Sequence, residues 1–185
     1  MDDLEVFSKK LSNVAFEITL YSQLYGTNES VTKLNNFNPL VFGVFQKNMY
    51  VSICLELAKL LDKAGEKSNK NLSIDRLVIH MNLSDDNEIK KLIYTAIALY
   101  KSSIKKFRNE VIAHNDYGMA MKRKILPSNG NIDDLEELCN LIYGVYSAIR
   151  FKTGKDSVQV SRRVSTVLPR ELDGYSFLRK LEENV

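Results

Sequence analysis

A chain of 185 residues has the length of one domain, and its 44% hydrophobic and 26% charged residues exclude a wholly disordered protein. Three prolines and eight glycines favour long uninterrupted elements over a many-turned β-sandwich. The net charge of +3, from 26 basic and 23 acidic residues, permits an anionic partner without requiring one.

The first predicted element is an amphipathic helix that ends at Gly26. Its apolar residues recur at alternating three- and four-residue steps, which place them on one face of a helix: Leu4, Phe7, Leu11, Val14, Ile18, Tyr21 and Tyr25. Residues 27–38 are rich in Asn, Ser and Thr and predict a loop with room for one helical turn. Pro39 suits the first turn of a second helix, which runs to about Lys63. Apolar residues lie most of the way round this second helix, so we expect it to be buried centrally.

Two further helices are predicted in the middle of the chain. Ser73 is a suitable N-cap for a short one. Asp85, with Glu88 three positions later, forms a capping-box pattern for a long one. The apolar seam of this long helix is regular and comprises Ile93, Ile97, Tyr100, Ile104, Phe107 and Val111. The run Asp116–Gly118 ends it.

A last long helix is predicted to start near Asp133 and to stop at Gly154. Its core face comprises Leu135, Leu138, Ile142, Val145 and Ile149. One more short helix is expected after Asp173, whereas residues 155–172 carry no clear pattern. The sequence therefore predicts an all-α fold, an antiparallel four-helix-bundle-like domain over residues 1–154 with short extra helices. We expect the C-terminal tail, residues 155–185, to pack on the bundle or on a partner.

The cysteines and the N-terminus favour a cytoplasmic protein. Cys54 and Cys139 lie far apart in apolar surroundings, with no CxxC, and are expected to be reduced core residues. The first residues lack the basic start and apolar run of a signal peptide. No stretch approaches 18 uncharged apolar residues, so we expect no membrane span and no membrane partner.

Most catalytic patterns are missing from the sequence. It has no GxxxxGK[ST], no GxGxxG and no GxSxG, and two histidines with two scattered cysteines do not supply a zinc site at any usual spacing. We therefore expect neither a metal nor a cofactor. One polar cluster remains, in residues 107–116 (FRNEVIAHND), where Arg108 and Asn109 precede His114 and Asp116.

This cluster resembles the R-x(4–6)-H motif of HEPN-domain proteins, which are all-helical, usually dimeric and often metal-independent ribonucleases. Its form, RNxxxAHxD, is similar to the AbiU-type branch, which is associated with bacterial abortive infection and phage defence. The run Leu55–Asp62 and the triplet Asn71–Ser73 also look like that branch, so the resemblance covers roughly residues 40–118. It implies a homodimer and the catalytic residues Arg108, His114 and Asn109, with Asp116 fixing the local turn.

Helical geometry leaves the relation between the two main residues open. One further step along the predicted seam reaches His114, which then points to the bundle or to a dimer partner. Arg108 and His114 are about 120° apart around a regular helix axis. They converge only if the helix loosens near Ala113 or if two copies of the motif meet, and the resemblance implies the second arrangement. A histidine on a seam near a helix C-terminus is also a common structural residue.

Charge adds a candidate RNA-binding stripe. Lys101, Lys105 and Arg108 lie at i, i+4 and i+7, where a phosphate backbone would meet them, although the same pattern describes an ordinary solvated face. The expected function is a metal-independent endoribonuclease of the abortive-infection or toxin type, with RNA as substrate and an antitoxin or other regulatory protein as a further partner. The alternative is a non-catalytic helical binding or scaffold module that binds a nucleotide or a partner protein.

Overall fold

The computed structural model describes residues 2–65, 70–108, 131–160 and 166–183, and these form helices and connecting loops with no strand. The predicted all-α fold is thus confirmed. A π-helical turn, Tyr100–Ile104, joins two of the helices. The helices are α1 Asp3–Tyr25, α2 Asn28–Phe37, α3 Pro39–Leu60, α4 Ile74–His80, α5 Asn87–Leu99, α6 Lys105–Phe107, α7 Ile132–Lys152 and α8 Gly174–Glu183.

Helices α1 and α7 form the regular part of the core. Every residue of the two predicted seams is buried on these helices, as the periodicity indicated. Helix α7 ends in a Schellman motif, in which Lys155 N–H donates to the Arg150 carbonyl at 2.9 Å. Gly154, at φ +68°, is the left-handed residue that this motif requires. The predicted stop at Gly154 is therefore correct in position and cause.

The predicted loop at residues 27–38 is wrong, because ten of these residues form α2. Thr27 caps the helix by accepting a hydrogen bond from Ser30 N–H at 3.1 Å. Leu34 is fully buried, and α2 packs against α1 and α3. Packing of this apolar residue thus outweighs the low helix propensity of the Asn, Ser and Thr around it.

The N-cap predicted for α5 is wrong by one residue. Asp86, not Asp85, accepts hydrogen bonds from the Glu88 and Ile89 N–H groups, both at 3.0 Å. The bond from Ile89 N–H is the first cause of the lowered pKa of the Asp86 carboxyl, followed by the hydrogen bond from Lys152, and the bond from Glu88 N–H contributes least. Ser73 caps α4 as predicted.

Helix α3 is buried mainly along its second half, with Phe42 the buried residue of the first half, so its predicted central position is half right. Residues Ile53, Cys54, Leu57 and Leu60 are fully enclosed. The first half instead exposes a group of large apolar side chains, here called the α3 apolar surface: Leu40, Val41, Val44 and Phe45. Among the described helices, α3 is the one long and apolar enough for a membrane span by length and composition, with a mean hydropathy of 1.2. Since its second half belongs to the bundle core, that is weak evidence for a membrane.

The tail contacts the bundle at several places. Gln159 donates to Glu88 at 3.1 Å, Val160 N–H donates to the Ser147 hydroxyl at 2.9 Å, and Gly174 N–H donates to Gln23 at 2.8 Å. Helix α8 begins directly after Asp173, as predicted, and its Leu178 joins the core. The division into a bundle and a tail at residue 154 stays a prediction.

Candidate functional site

Arg108 is the one predicted catalytic residue that the structure describes. It is half-buried and follows Phe107, the last residue of α6, directly. Asn109, His114 and Asp116 lie outside the described residues, so their predicted roles stay predictions. What the structure adds is the way in which the chain that leads to the motif is positioned.

A π-helical turn lies immediately before the motif. In it, Lys105 N–H donates to the Tyr100 carbonyl, five residues back instead of four. The hydroxyls of Ser102 and Ser103 both donate to the Leu99 carbonyl, at 3.0 and 2.8 Å. Turns of this kind insert one residue into a helix and are frequent at functional sites.

The inserted residue changes which side chains are buried and corrects the predicted seam. Ile89 and Ala96, seven residues apart, are fully buried, and the next fully buried residue is Ile104, eight further on. Of the predicted seam, Ile104 and Phe107 are buried; the three before them are only half-buried, and Val111 lies outside the described residues. A pattern that assumes 3.6 residues per turn throughout cannot register such an insertion.

An aromatic ladder anchors the residue before Arg108. The ring of Phe107 meets Tyr50 of α3 edge-on, with centroids 5.1 Å apart. Tyr50 in turn contacts Tyr21 of α1 at 5.9 Å, and Tyr21 contacts Tyr25 at 5.2 Å. Burial raises the pKa of Tyr21 and Tyr25, which therefore stay neutral. These two are core residues, as expected, and through Tyr50 they position the backbone that carries Arg108.

The two predicted RNA-binding lysines reach the surface on the same helical segment. Lys101, in the π turn, and Lys105, at the start of α6, are both exposed. Two cavities in the described part of the chain, of about 260 and 350 Å³, are lined by neither lysine nor by Arg108. Within the described residues, the candidate site consists of two exposed lysines on the segment that leads to the half-buried Arg108.

The family follows from comparison with known proteins. The model of the HEPN family AbiU2 matches residues 1–157. The chain belongs to the HEPN AbiU2 family. No curated protein and no solved structure matches it.

Membership of the AbiU2 family extends the resemblance well beyond residues 40–118. The match includes α1 and α7, and it spans the segment that carries Arg108 and His114. Helix α8 lies outside it. The family assignment supports an abortive-infection module of the HEPN type.

Among the described residues of this AbiU2 protein, Cys54 and His80 have structural surroundings. Within the described residues no three His, Cys, Asp or Glu side chains are grouped as a metal site. Burial raises the pKa of the Cys54 thiol to about 12, so it is protonated and inert at neutral pH. His80 contacts Asp3 at 3.2 Å, and Arg76 pairs with the same carboxylate at 3.2 Å. This cluster ties α4 to the start of α1.

Proposed function

We propose that this AbiU2 protein is a metal-independent endoribonuclease of the abortive-infection or toxin type. The observation that carries the proposal is family membership together with an Arg108 that is not sealed in the core. Arg108 stands at the end of an anchored helical segment, on the same segment as the exposed Lys101 and Lys105. Such a placement leaves its guanidinium within reach of a phosphate.

The protein needs to provide only an acid–base group and donors for the phosphate, because RNA supplies its own nucleophile. The 2′-oxygen attacks phosphorus while the bond to the 5′-oxygen breaks. His114 takes the 2′-proton or protonates the leaving oxygen, the acid–base roles for which an imidazole is the usual side chain. Arg108 donates from its planar fork to the phosphoryl oxygens as charge builds. Asn109 orients the substrate or His114, and Asp116 fixes the turn. The products are a 2′,3′-cyclic phosphate and a 5′-hydroxyl.

The proposal includes a cytoplasmic homodimer in which two motifs face each other. Its support in the described residues is the α3 apolar surface, since monomers rarely expose large contiguous apolar patches. Leu40 is 81% exposed in the first turn of its helix. Tyr50, which holds Phe107, lies on the same helix, so pairing there would bring a second copy near the motif segment. An antitoxin or other regulatory protein remains an expected partner.

A decisive experiment is to incubate the purified protein with total RNA in EDTA, beside the variant His114→Ala. We expect the parent to produce fragments with 2′,3′-cyclic phosphate ends and the variant to produce none, with an unchanged melting temperature. A variant destabilised by several kcal/mol would assign His114 to the structure instead. Intact RNA with both proteins would favour the alternative, a non-catalytic scaffold that binds a nucleotide or a partner protein.

A further inference from the structure

Helix α5 presents a tyrosine to solvent. Tyr94 is 75% exposed, in contrast to the buried Tyr21, Tyr25 and Tyr50 of the aromatic ladder. The opposite side of α5, with Ile89 and Ala96, is enclosed where the helix packs along α7. Tyr94 therefore contributes little to the core, and its ring faces are open to a ligand.

The segment around Tyr94 is basic, although the chain as a whole is nearly balanced. Residues 89–108 contain six Lys and Arg and no Asp or Glu. The acidic residues just before this segment are paired: Glu88 contacts Lys152 at 2.9 Å, and Asp85 contacts Lys90 at 3.4 Å. In the second pair the side chain of Asp85 is fully exposed, and an ion pair with an exposed carboxylate holds a lysine only weakly. Twenty consecutive residues thus offer positive charge without a competing carboxylate of their own.

Helical spacing places the tyrosine between lysines. Lys90 and Lys91 lie one turn before Tyr94, exposed Ala98 lies one turn after it, and Lys101 follows in the next turn. At 1.5 Å per residue the distance along the axis from Tyr94 to Arg108 is about 20 Å, a span of a few nucleotides. Lys101 and Lys105 lie between them and are both exposed.

We propose that α5 binds single-stranded RNA, with one base stacked on Tyr94 and the following phosphates along Lys101 and Lys105 to Arg108. This surface, residues Lys91, Tyr94, Lys101 and Lys105, is the α5 track. The inference rests on the proposed function for its substrate and adds the strand type and the stacking residue. An aromatic face with a basic groove is how proteins hold single strands without reading their sequence. In a duplex the base faces are covered by their neighbours, so Tyr94 selects unpaired RNA.

The test measures binding to an RNA that cannot be cleaved. A fluorescent 12-nucleotide oligouridylate, 2′-O-methylated throughout, lacks the nucleophile, so fluorescence anisotropy reports affinity alone. We expect Tyr94→Ala to weaken binding about 5- to 150-fold, the loss that one stacked base accounts for, and Tyr94→Phe to bind like the parent. Tyr175→Ala is the matched control, since Tyr175 is 56% exposed on α8, outside the α5 track, and should bind like the parent.

Further measurements test the strand type and the charges. The same oligonucleotide annealed to its complement should bind more weakly and should be insensitive to Tyr94→Ala. Lys101→Gln should reduce the slope of log affinity against log salt by about 0.7, one phosphate contact on a single strand. Equal binding by Tyr94→Ala and the parent, equal losses for Tyr94→Ala and Tyr175→Ala, or no binding by the parent would overturn the inference.

The outcomes separate this inference from the proposed function. A protein that binds the methylated RNA in a Tyr94-dependent way and still leaves total RNA intact would contradict the ribonuclease proposal and support the α5 track. If Tyr94→Ala and the parent cleave total RNA with the same kcat/KM, the result contradicts the α5 track and supports the ribonuclease proposal. Cleavage by the parent with a raised KM and unchanged kcat in Tyr94→Ala supports both.

Discussion

The two halves of α3 have similar apolar composition and opposite surroundings. In the second half, Leu57 and its neighbours are fully buried, on a helix that packs against α1 and α7. In the first half, Phe42 is buried against α2 and α8, whereas Leu40 and Val44 face solvent. Composition therefore does not distinguish a helix enclosed in the core from a helix that exposes an apolar face. The neighbours decide, and these can come from the same chain or from another one.

The comparison is tested most strongly by removing the same side chain from each half. Leu57→Ala should lower the free energy of unfolding by about 2–5 kcal/mol, because it leaves a cavity in an enclosed site. Leu40→Ala, the matched change at an 81% exposed position, should alter it by less than about 0.5 kcal/mol at concentrations where the protein is monomeric. Urea unfolding measures both. Similar losses at the two positions would mean that the halves do not differ.

A second test concerns the segment that carries Arg108. It is anchored near the middle of α3, where Tyr50 contacts Phe107. Lysine in place of Arg108 keeps the charge and loses the planar fork. If Arg108 grips a phosphoryl group with two donors, cleavage should fall by two to three orders of magnitude, since a lost transition-state donor costs roughly 2.7–4 kcal/mol. Ground-state binding should change much less, because Lys101, Lys105 and the new lysine still neutralise phosphates.

Cleavage rate and filter-binding affinity, measured side by side, decide the role of Arg108. Equal losses of both in Arg108→Lys would demote the residue to a binding contact. No loss of either would remove it from the site. Unfolding in urea serves as the control, since Phe107 and its contact with Tyr50 are untouched by the change.

The sequence predicted an element correctly where the helix is regular and packs against other helices of the same chain. The seams of α1 and α7 were correct because both helices are regular and fully packed. Helix α2 was missed because its residues favour turns, whereas packing of Leu34 and the cap at Thr27 stabilise the helix. The π turn was not predicted, because its inserted residue breaks the 3.6-residue helical period that the prediction assumed. For the site, the motif resemblance pointed to Arg108, and helical spacing pointed to Lys101 and Lys105, which are exposed. Neither pointed to Tyr94, which lies off the predicted seam on the side of α5 opposite Ile89 and Ala96.

A third test asks what covers the α3 apolar surface. If a second copy covers it, Val44→Asp should raise the dimer dissociation constant at least about tenfold, because a charge would be buried in an apolar contact. Ile79→Asp is the control, since Ile79 of α4 has nearly the same exposure, 54% against 56%, away from α3. Sedimentation velocity measures both. A parent that is monomeric at micromolar concentration, or equal effects of both variants, would contradict pairing at this surface.

The smallest expected effect concerns the thiol in the buried half. Burial raises the pKa of Cys54 from its ordinary 9.0 to about 12. Between these values the folded thiol keeps its proton while the unfolded one loses it, so this contribution to stability is complete below pH 9 and is lost as pH rises towards 12. From pH 8 to 10 the parent should therefore lose more stability than Cys54→Ala, by at most about 1.4 kcal/mol per pH unit.

Urea titrations of the parent and Cys54→Ala at pH 7, 8, 9 and 10 measure this difference. Tyr21 and Tyr25 also have raised pKa values and add to the alkaline loss, but both proteins retain them, so their effect cancels in the comparison. Parallel curves would mean that the Cys54 thiol ionises equally well folded and unfolded. Water would then reach the second half of α3, and the contrast between its two halves would fail at a fully buried position.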